Sequence, residues 1–388
     1  MKHLISLLFL LFTISGFTQQ QREQRYAINR LAHAPDSVFR TTSSFSHYLK
    51  SVYKNDEQML EAIYVWIAKS VAYDVDNMYN INFEEKPEEL IARTFRSRKA
   101  ICQGYSELFN DICRKCGINS YVVHGYTMQS GRVKNSGHSW VVASTGKRWY
   151  CFDPTWGAGY IYDDKFYRSF TFDYFMINPE EFIASHMPFD PIWQCLIHPV
   201  SVENFYKMDV SEKEGERIFS FADSIKIYEK LSVIGQYEAT LKRMESCGIH
   251  NEPTREYFSF LQQSIENDRL NRLNAYQSQM IDKLNEATDH FNSAANLFNR
   301  YISYFNRQFT PVRSDADIRH MIDTCETRLI MAKQFIVQVD PCNSTITQAT
   351  KQLNSLIRNL QSDLNEQKIF VNRYLRTPKG SRARLFVK

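Results

Sequence analysis

The sequence predicts an α+β domain followed by an elongated all-α bundle. Three observations carry this. Residues 26–205 mix helix-like and strand-like segments and hold all five tryptophans. From about Ser211 onward the pattern is almost purely helical. Within that second part, apolar residues recur at alternating spacings of three and four, sustained over several heptads. A length of 388 residues accommodates two or three domains. The implied division is 1–18, 19–205 and 206–388. A composition of 43% hydrophobic, 14% aromatic and 23% charged residues excludes a disordered or collagen-like chain. A net charge of +4 is weak at this length, so nothing calls for a nucleic-acid partner.

The first element is a leader. Met1-Lys2-His3 precedes an apolar run from Leu4 to Phe12, and then come Thr13, Ser15, Gly16 and Thr18. A basic start, an apolar middle and a small-residue exit spell a secretory signal, with a cut expected after Thr18. The run is too short to span a bilayer, and no later stretch is long and apolar enough to do so. The expected location is therefore outside the cytoplasm, periplasmic or secreted, with no integral membrane span. Export permits disulfides, yet eight cysteines are too dilute for a small disulfide scaffold.

The mixed region opens with a helix over Asp56–Val71, whose Met59, Leu60, Ile63, Ile67 and Val71 serve packing. A second helix begins close to Cys102. It places Leu108, Phe109, Ile112 and Cys116 on one face and stops at Gly117. Ser120–Tyr126 reads as a strand. His138–Ala143 and Trp149–Asp153 read as a hairpin with Thr145-Gly146 as a two-residue turn. With that turn Ser144 pairs with Lys147. Counting back along both strands then sets His138 directly opposite Asp153, and Trp140 opposite Cys151.

The helical region starts with a mostly helical stretch at 206–250. Three seams follow. The first runs through Leu273, Met280, Leu284, Ala287, Phe291, Ala294, Phe298, Tyr301 and Phe305, with polar Gln277 in register. A helix over 270–307 would be roughly 57 Å long, and Pro311 ends it. The second runs through Ile318, Ile322, Cys325, Leu329, Ala332 and Ile336, opened by Ser314 and Asp317 at capping-box spacing. The third runs through Ile346, Ala349, Leu353, Leu356, Leu360 and Leu364. Short breaks between such helices imply antiparallel neighbours. The basic tail, 373–388, is expected to be mobile. The bundle reads as a structural arm, with docking of a protein partner as the alternative.

Chemistry centres on Cys102. At a helix start, free N–H groups and the helix dipole stabilise a thiolate, and Arg98 and Lys99 are expected to act in the same direction. The competing reading is a small buried hydrophobe. His138 would take the thiol proton and later protonate a leaving amine, while Asp153 fixes the imidazole tautomer. Trp140 and Trp156 are candidate linings of a substrate groove. His124 reads as a packed or edge histidine. Cys113 and Cys116 fall at a helix end and read as core. Asp163-Asp164 is too small an acidic group for a calcium loop. No cofactor and no metal is expected. With Cys102 reserved, seven cysteines remain, so at least one more thiol stays free in a monomer.

Three blocks carry a resemblance: Ala100-Ile101-Cys102-Gln103-Gly104-Tyr105-Ser106, Gly137-His138-Ser139-Trp140, and Phe152-Asp153-Pro154-Thr155-Trp156. In this order and spacing the segment 56–160 resembles the transglutaminase-like superfamily of papain-like thiol enzymes. The resemblance implies a helix carrying the nucleophile against an antiparallel sheet, and a Cys102–His138–Asp153 triad. Members include protein crosslinkers, peptidases and glycopeptide amidases. The expectation is an exported thiol enzyme that attacks a polypeptide or cell-envelope peptide through a thioester, with hydrolysis favoured over amine transfer. The alternatives are a non-catalytic binding or scaffold protein on the same fold, and a peptide or glycopeptide amidase.

Overall fold

A computed structural model describes residues 30–146, 148–210 and 218–386. The expected export signal at 1–18 lies outside them. Two compact units divide between Glu266 and Asn267, later in the chain than the change of pattern near 206. The stretch 218–266 belongs to the first unit for a physical reason. Asp190 is 3% exposed, and a carboxylate so buried requires partners. The helix Val233–Cys247 supplies them: Thr240 Oγ1 at 2.8 Å and Arg243 in a two-pronged contact at 2.7 and 2.6 Å.

In the first unit, helix α1 (Thr42–Val52) opens on a capping box between Thr41 and Ser44. Helix α2 (Asp56–Ser70) is capped by Asn55 and buried on nearly every side, so it runs through the core. Helix α3 (Pro87–Ser97) leads through Arg98, in left-handed backbone, to helix α4 (Cys102–Cys116). Gly117, also left-handed, stops α4 as expected. A four-stranded antiparallel sheet follows, built from β1 (Ser120–Gln129), β2 (Arg132–Thr145), β3 (Arg148–Phe152) and β4 (His186–Pro188) in the order β3-β2-β1-β4. One face packs Val141, Ala143 and Phe152 against α1, α2 and α4. The other packs Val123, Trp140, Val142 and Cys151 against Phe182, Ile192, Trp193 and Ile225.

The hairpin register differs from expectation. Thr145 pairs with Arg148, and the ladder continues to Val141↔Phe152. The turn therefore begins one residue later. A tight hairpin turn needs positive φ at its first central position; Gly146 adopts it (φ +56°), whereas β-branched Thr145 would be strained there. Cys151 consequently pairs with Val142, not Trp140. The offset moves partners by two places, so every side chain keeps its face.

The second unit is helical. The helix Glu252–Asn306 crosses the division point and starts well before residue 270. It is followed by Asp315–Ile336 and Ser344–Arg376. The second seam is buried residue for residue, behind a Ser314–Asp317 capping box. The third departs at one place: Leu356 is 43% exposed while Ile357 is 2% exposed. The tail is packed. Arg382 grips Asp315 at 2.5 and 2.7 Å, and the Phe386 ring lies 5.5 Å from both Phe305 and Phe309. No helix among the described residues is long and apolar enough to cross a membrane.

Candidate active site

Cys102 is the first residue of α4. Its N-cap is Ile101, and no side chain caps the helix. The N–H groups of the first turn are thus left for whatever negative charge forms there. The entry is held by a short parallel pairing of Ala72–Tyr73 with Lys99–Ala100, and Gly104 brings α4 close to its neighbours. A Cβ on Gly104 would sit 2.6 Å from both Ala100 Cβ and Thr94 Oγ1. Cys102 itself is 2% exposed.

The charges expected to help the thiol are engaged elsewhere. Lys99 pairs with Asp74 and Asp76, both at 2.9 Å. The Arg98 guanidinium lies 4.4 Å over the Trp66 and Phe95 rings. The group that interacts with the thiol is His138.

His138 lies on β2 opposite Gly125. Its Nε2 is 2.7 Å from Asp153 Oδ2, which leaves Nδ1 for its side-chain interaction with Cys102. The contact with Asp153 is not a ladder rung. Pairing has ended at Phe152, and Asp153 already caps the short helix Pro154–Ala158. Asp153 Oδ1 accepts from the N–H of Thr155 at 2.8 Å and of Trp156 at 3.1 Å. Pro154, at the first helical position, has no N–H to satisfy.

A second imidazole completes the group. His186 Nε2 lies 3.2 Å from Asp153 Oδ2, and its Nδ1 lies 2.7 Å from Ser185 Oγ. His186 reaches the site from β4, where Thr127 pairs with it across β1. Nothing in the local sequence marks it, because the connection after the Asp153 block brings it back to the far edge of the sheet. Among the described residues, His138, Asp153 and His186 are also the group whose donor atoms converge enough to hold a metal ion, all within 4.8 Å. Binding one would displace both imidazole bonds to Asp153.

The electrostatics follow from burial and pairing. Burial alone would lower the His138 pKa; the Asp153 and Cys102 charges more than offset it and hold it up at about 10. Burial would raise Asp153, but His138 and His186 keep it well below the usual carboxylate range. Burial pushes His186 down to about 4, against the pull of Asp153. At neutral pH the site therefore holds an imidazolium, a carboxylate and a neutral imidazole.

A cleft of about 590 Å³ opens beside His138, lined by Thr155, Trp156, Tyr73, Tyr160 and Tyr174 among others. Trp156 borders it, while Trp140 is 1% exposed and sits in the core. Tyr73, not singled out from the sequence, carries an O–H whose ionisation burial and the nearby Cys102 and Asp153 charges strongly oppose. His124 is packed: it bonds Ser139 Oγ at 2.9 Å under the Phe83 ring. Cys113 and Cys116 are core, and burial raises both thiols. All eight cysteines are free. Asp163 and Asp164 form the left-handed turn of the Gly159–Arg168 hairpin.

Residues 43–154 match the profile of the transglutaminase-like superfamily. The chain is 31% identical over 162 residues to kyphoscoliosis peptidase of Mus musculus, and 30% identical over 161 residues to that of Homo sapiens. Each match covers 39% of this chain, and the chain spans about a quarter of those relatives' length, 24% and 23%. A solved structure of a putative cysteine protease from Cytophaga hutchinsonii matches with a TM-score of 0.25 and 21% identity, over 31% of this chain and 37% of that one. The chain carries a transglutaminase-like core domain.

Proposed function

We propose that this protein is an exported thiol enzyme that cleaves polypeptide amide bonds. The observation that carries the reading is Cys102 at an uncapped helix start, facing His138, whose far nitrogen is 2.7 Å from a buried Asp153. In the resting pair His138 already holds the proton and Cys102 is the thiolate, whose Sγ attacks the carbonyl carbon. The Cys102 N–H, at the uncapped helix start, and the Tyr73 O–H, kept protonated by burial and by the Cys102 and Asp153 charges, would serve as donors to the oxyanion. The C–N bond breaks as His138 gives its proton to the leaving amine, and a thioester remains. Water, deprotonated by His138, then attacks the thioester, releases the acid and restores the thiolate–imidazolium pair. The name of the mouse and human relatives favours hydrolysis over amine transfer. The cleft beside His138, where aromatic rings alternate with Thr127, Gln129, Lys134 and Ser136, suits a polypeptide segment.

The test follows Cys102 alkylation by iodoacetamide against pH. The wild type should react well below the ordinary thiol midpoint near about 8.5, and His138→Ala should restore that midpoint. An ordinary profile in both sinks the reading. Stable incorporation of a labelled amine into a glutamine-bearing protein would replace hydrolysis by transfer. Export is checked by the N-terminus of the protein recovered outside the cytoplasm, expected to follow Thr18.

A further inference from the structure

We infer that His186 is a positioning residue, a second imidazole that holds Asp153 in place while His138 changes its charge. The inference rests on the thiol-enzyme reading above.

Asp153 is fully buried, and its two oxygens are held differently. Oδ1 is fixed by two backbone N–H groups, at 2.8 and 3.1 Å. Those bonds leave the other oxygen free to swing. Oδ2 meets two rings, His138 at 2.7 Å and His186 at 3.2 Å. His138 keeps Nε2 on Oδ2, but its charge changes as Nδ1 gains and loses a proton, so the strength of its hold on Asp153 varies through the cycle. The hold of His186 does not vary, because its own bonding fixes one tautomer. The ionised Oδ2 can only accept, so Nε2–H donates to it at 3.2 Å, and Nδ1 then accepts from Ser185 Oγ at 2.7 Å, a hydroxyl that also lies 3.4 Å from the Phe182 carbonyl. Burial keeps the ring neutral, with a pKa near about 4, so it brings no second cation to the carboxylate.

The surroundings keep the His186 ring out of the cleft lining. His186 is 1% exposed. Phe182 stacks on it at 3.9 Å, Trp156 lies at 4.5 Å and Trp140 at 5.1 Å. The titratable groups that face it are Asp153, His138 at 5.7 Å between rings, and Tyr174 at 6.5 Å. An apolar ring would fill this space equally well. What the imidazole adds is one fixed N–H aimed at Oδ2.

The experiment reads the pH profile of Cys102 alkylation by iodoacetamide in the full chain. The peptide that carries Cys102 is quantified by mass, so the other thiols do not interfere. His186→Phe keeps a ring and loses both nitrogens; His186→Gln keeps a side-chain N–H donor. With wild-type-like unfolding temperatures, the Phe variant should react about tenfold more slowly at pH 6, with its midpoint about one unit higher. The Gln variant should return to within about threefold of wild type. An unmoved or downward-shifted profile in the Phe variant overturns the inference, as does a Gln variant no better than Phe. If the Phe variant does not fold, Ser185→Ala removes only the hydroxyl that bonds Nδ1. It should react about threefold more slowly at pH 6, and an unchanged rate overturns the inference. A wild-type chain with an ordinary thiol profile fails at the earlier step, and this inference falls with it.

Discussion

Around Asp153 the first unit buries a carboxylate and two imidazoles together, whereas the second unit buries Ile318, Cys325, Leu329 and Leu364 and keeps its ion pairs where water reaches them. The Lys368–Glu326 pair leaves its side chains 34% and 29% exposed, and the Asp153 side chain is 0% exposed. The two interiors obey different rules. An apolar seam gains stability with area and tolerates small losses. A buried charge is acceptable only when every lone pair is met, so each partner of Asp153 carries an obligation that no seam residue does.

The largest effect that separates the units is catalytic. Asp153→Asn should lower kcat/KM on a general fluorogenic protein substrate by about 10³–10⁴-fold, because His138 loses its tautomer and its charge partner. A variant within tenfold of wild type would remove Asp153 from the mechanism. Next comes a break in the seam. Leu364→Ala, at 0% exposure, should destabilise the second unit by about 2–5 kcal/mol in urea unfolding. Cys102 alkylation should be unaffected in the same variant.

A third effect is the pH dependence of the first unit, and its sign differs on the two sides of neutrality. His138 is raised to about 10. The stability it contributes is full below its unfolded value near about 6.5 and is lost as pH rises through about 10. His186 is lowered to about 4. The unfolded chain therefore takes up its proton first, and stability falls as pH drops from about 6.5 toward 4. Urea midpoints across pH 4–10 should give a dome near neutrality, and His138→Gln should flatten chiefly its alkaline limb. The smallest effect belongs to a surface pair. Arg382→Ala should cost about 1 kcal/mol or less, because the Asp315 side chain is 44% exposed.

Legibility in the sequence followed the range of the interaction. The second seam and the Ser314–Asp317 cap could be read off because helix spacing and capping act within a few residues. The third seam failed at Leu356, where a strict heptad and the true helical period drift apart and the neighbouring Ile357 turns inward. The hairpin register was missed by one turn position, since strand alternation alone does not say which residue carries positive φ. Lys99 and Arg98 were correctly near Cys102 in the chain, but Asp74, Asp76 and two aromatic rings claim them in space. The tail, read as mobile from its charge, is held by Asp315 and a cluster of phenylalanines far away in sequence.

By itself, then, the sequence determined the two later helices of the second unit, the helix start at Cys102 and the shared face of His138 and Asp153, because each depends on a backbone period that local spacing reveals; the first long helix starts earlier than its seam and leaves Leu273 exposed. Tertiary structure alone decided that Asp153 leaves the ladder to cap a helix, that Trp140 is core while Trp156 borders the cleft, and that Tyr73 and His186 join the site. Those outcomes rest on pairings between distant segments, such as Thr127 with His186. The free energy of such a pairing comes from burying and bonding both partners at once, which neither segment encodes alone.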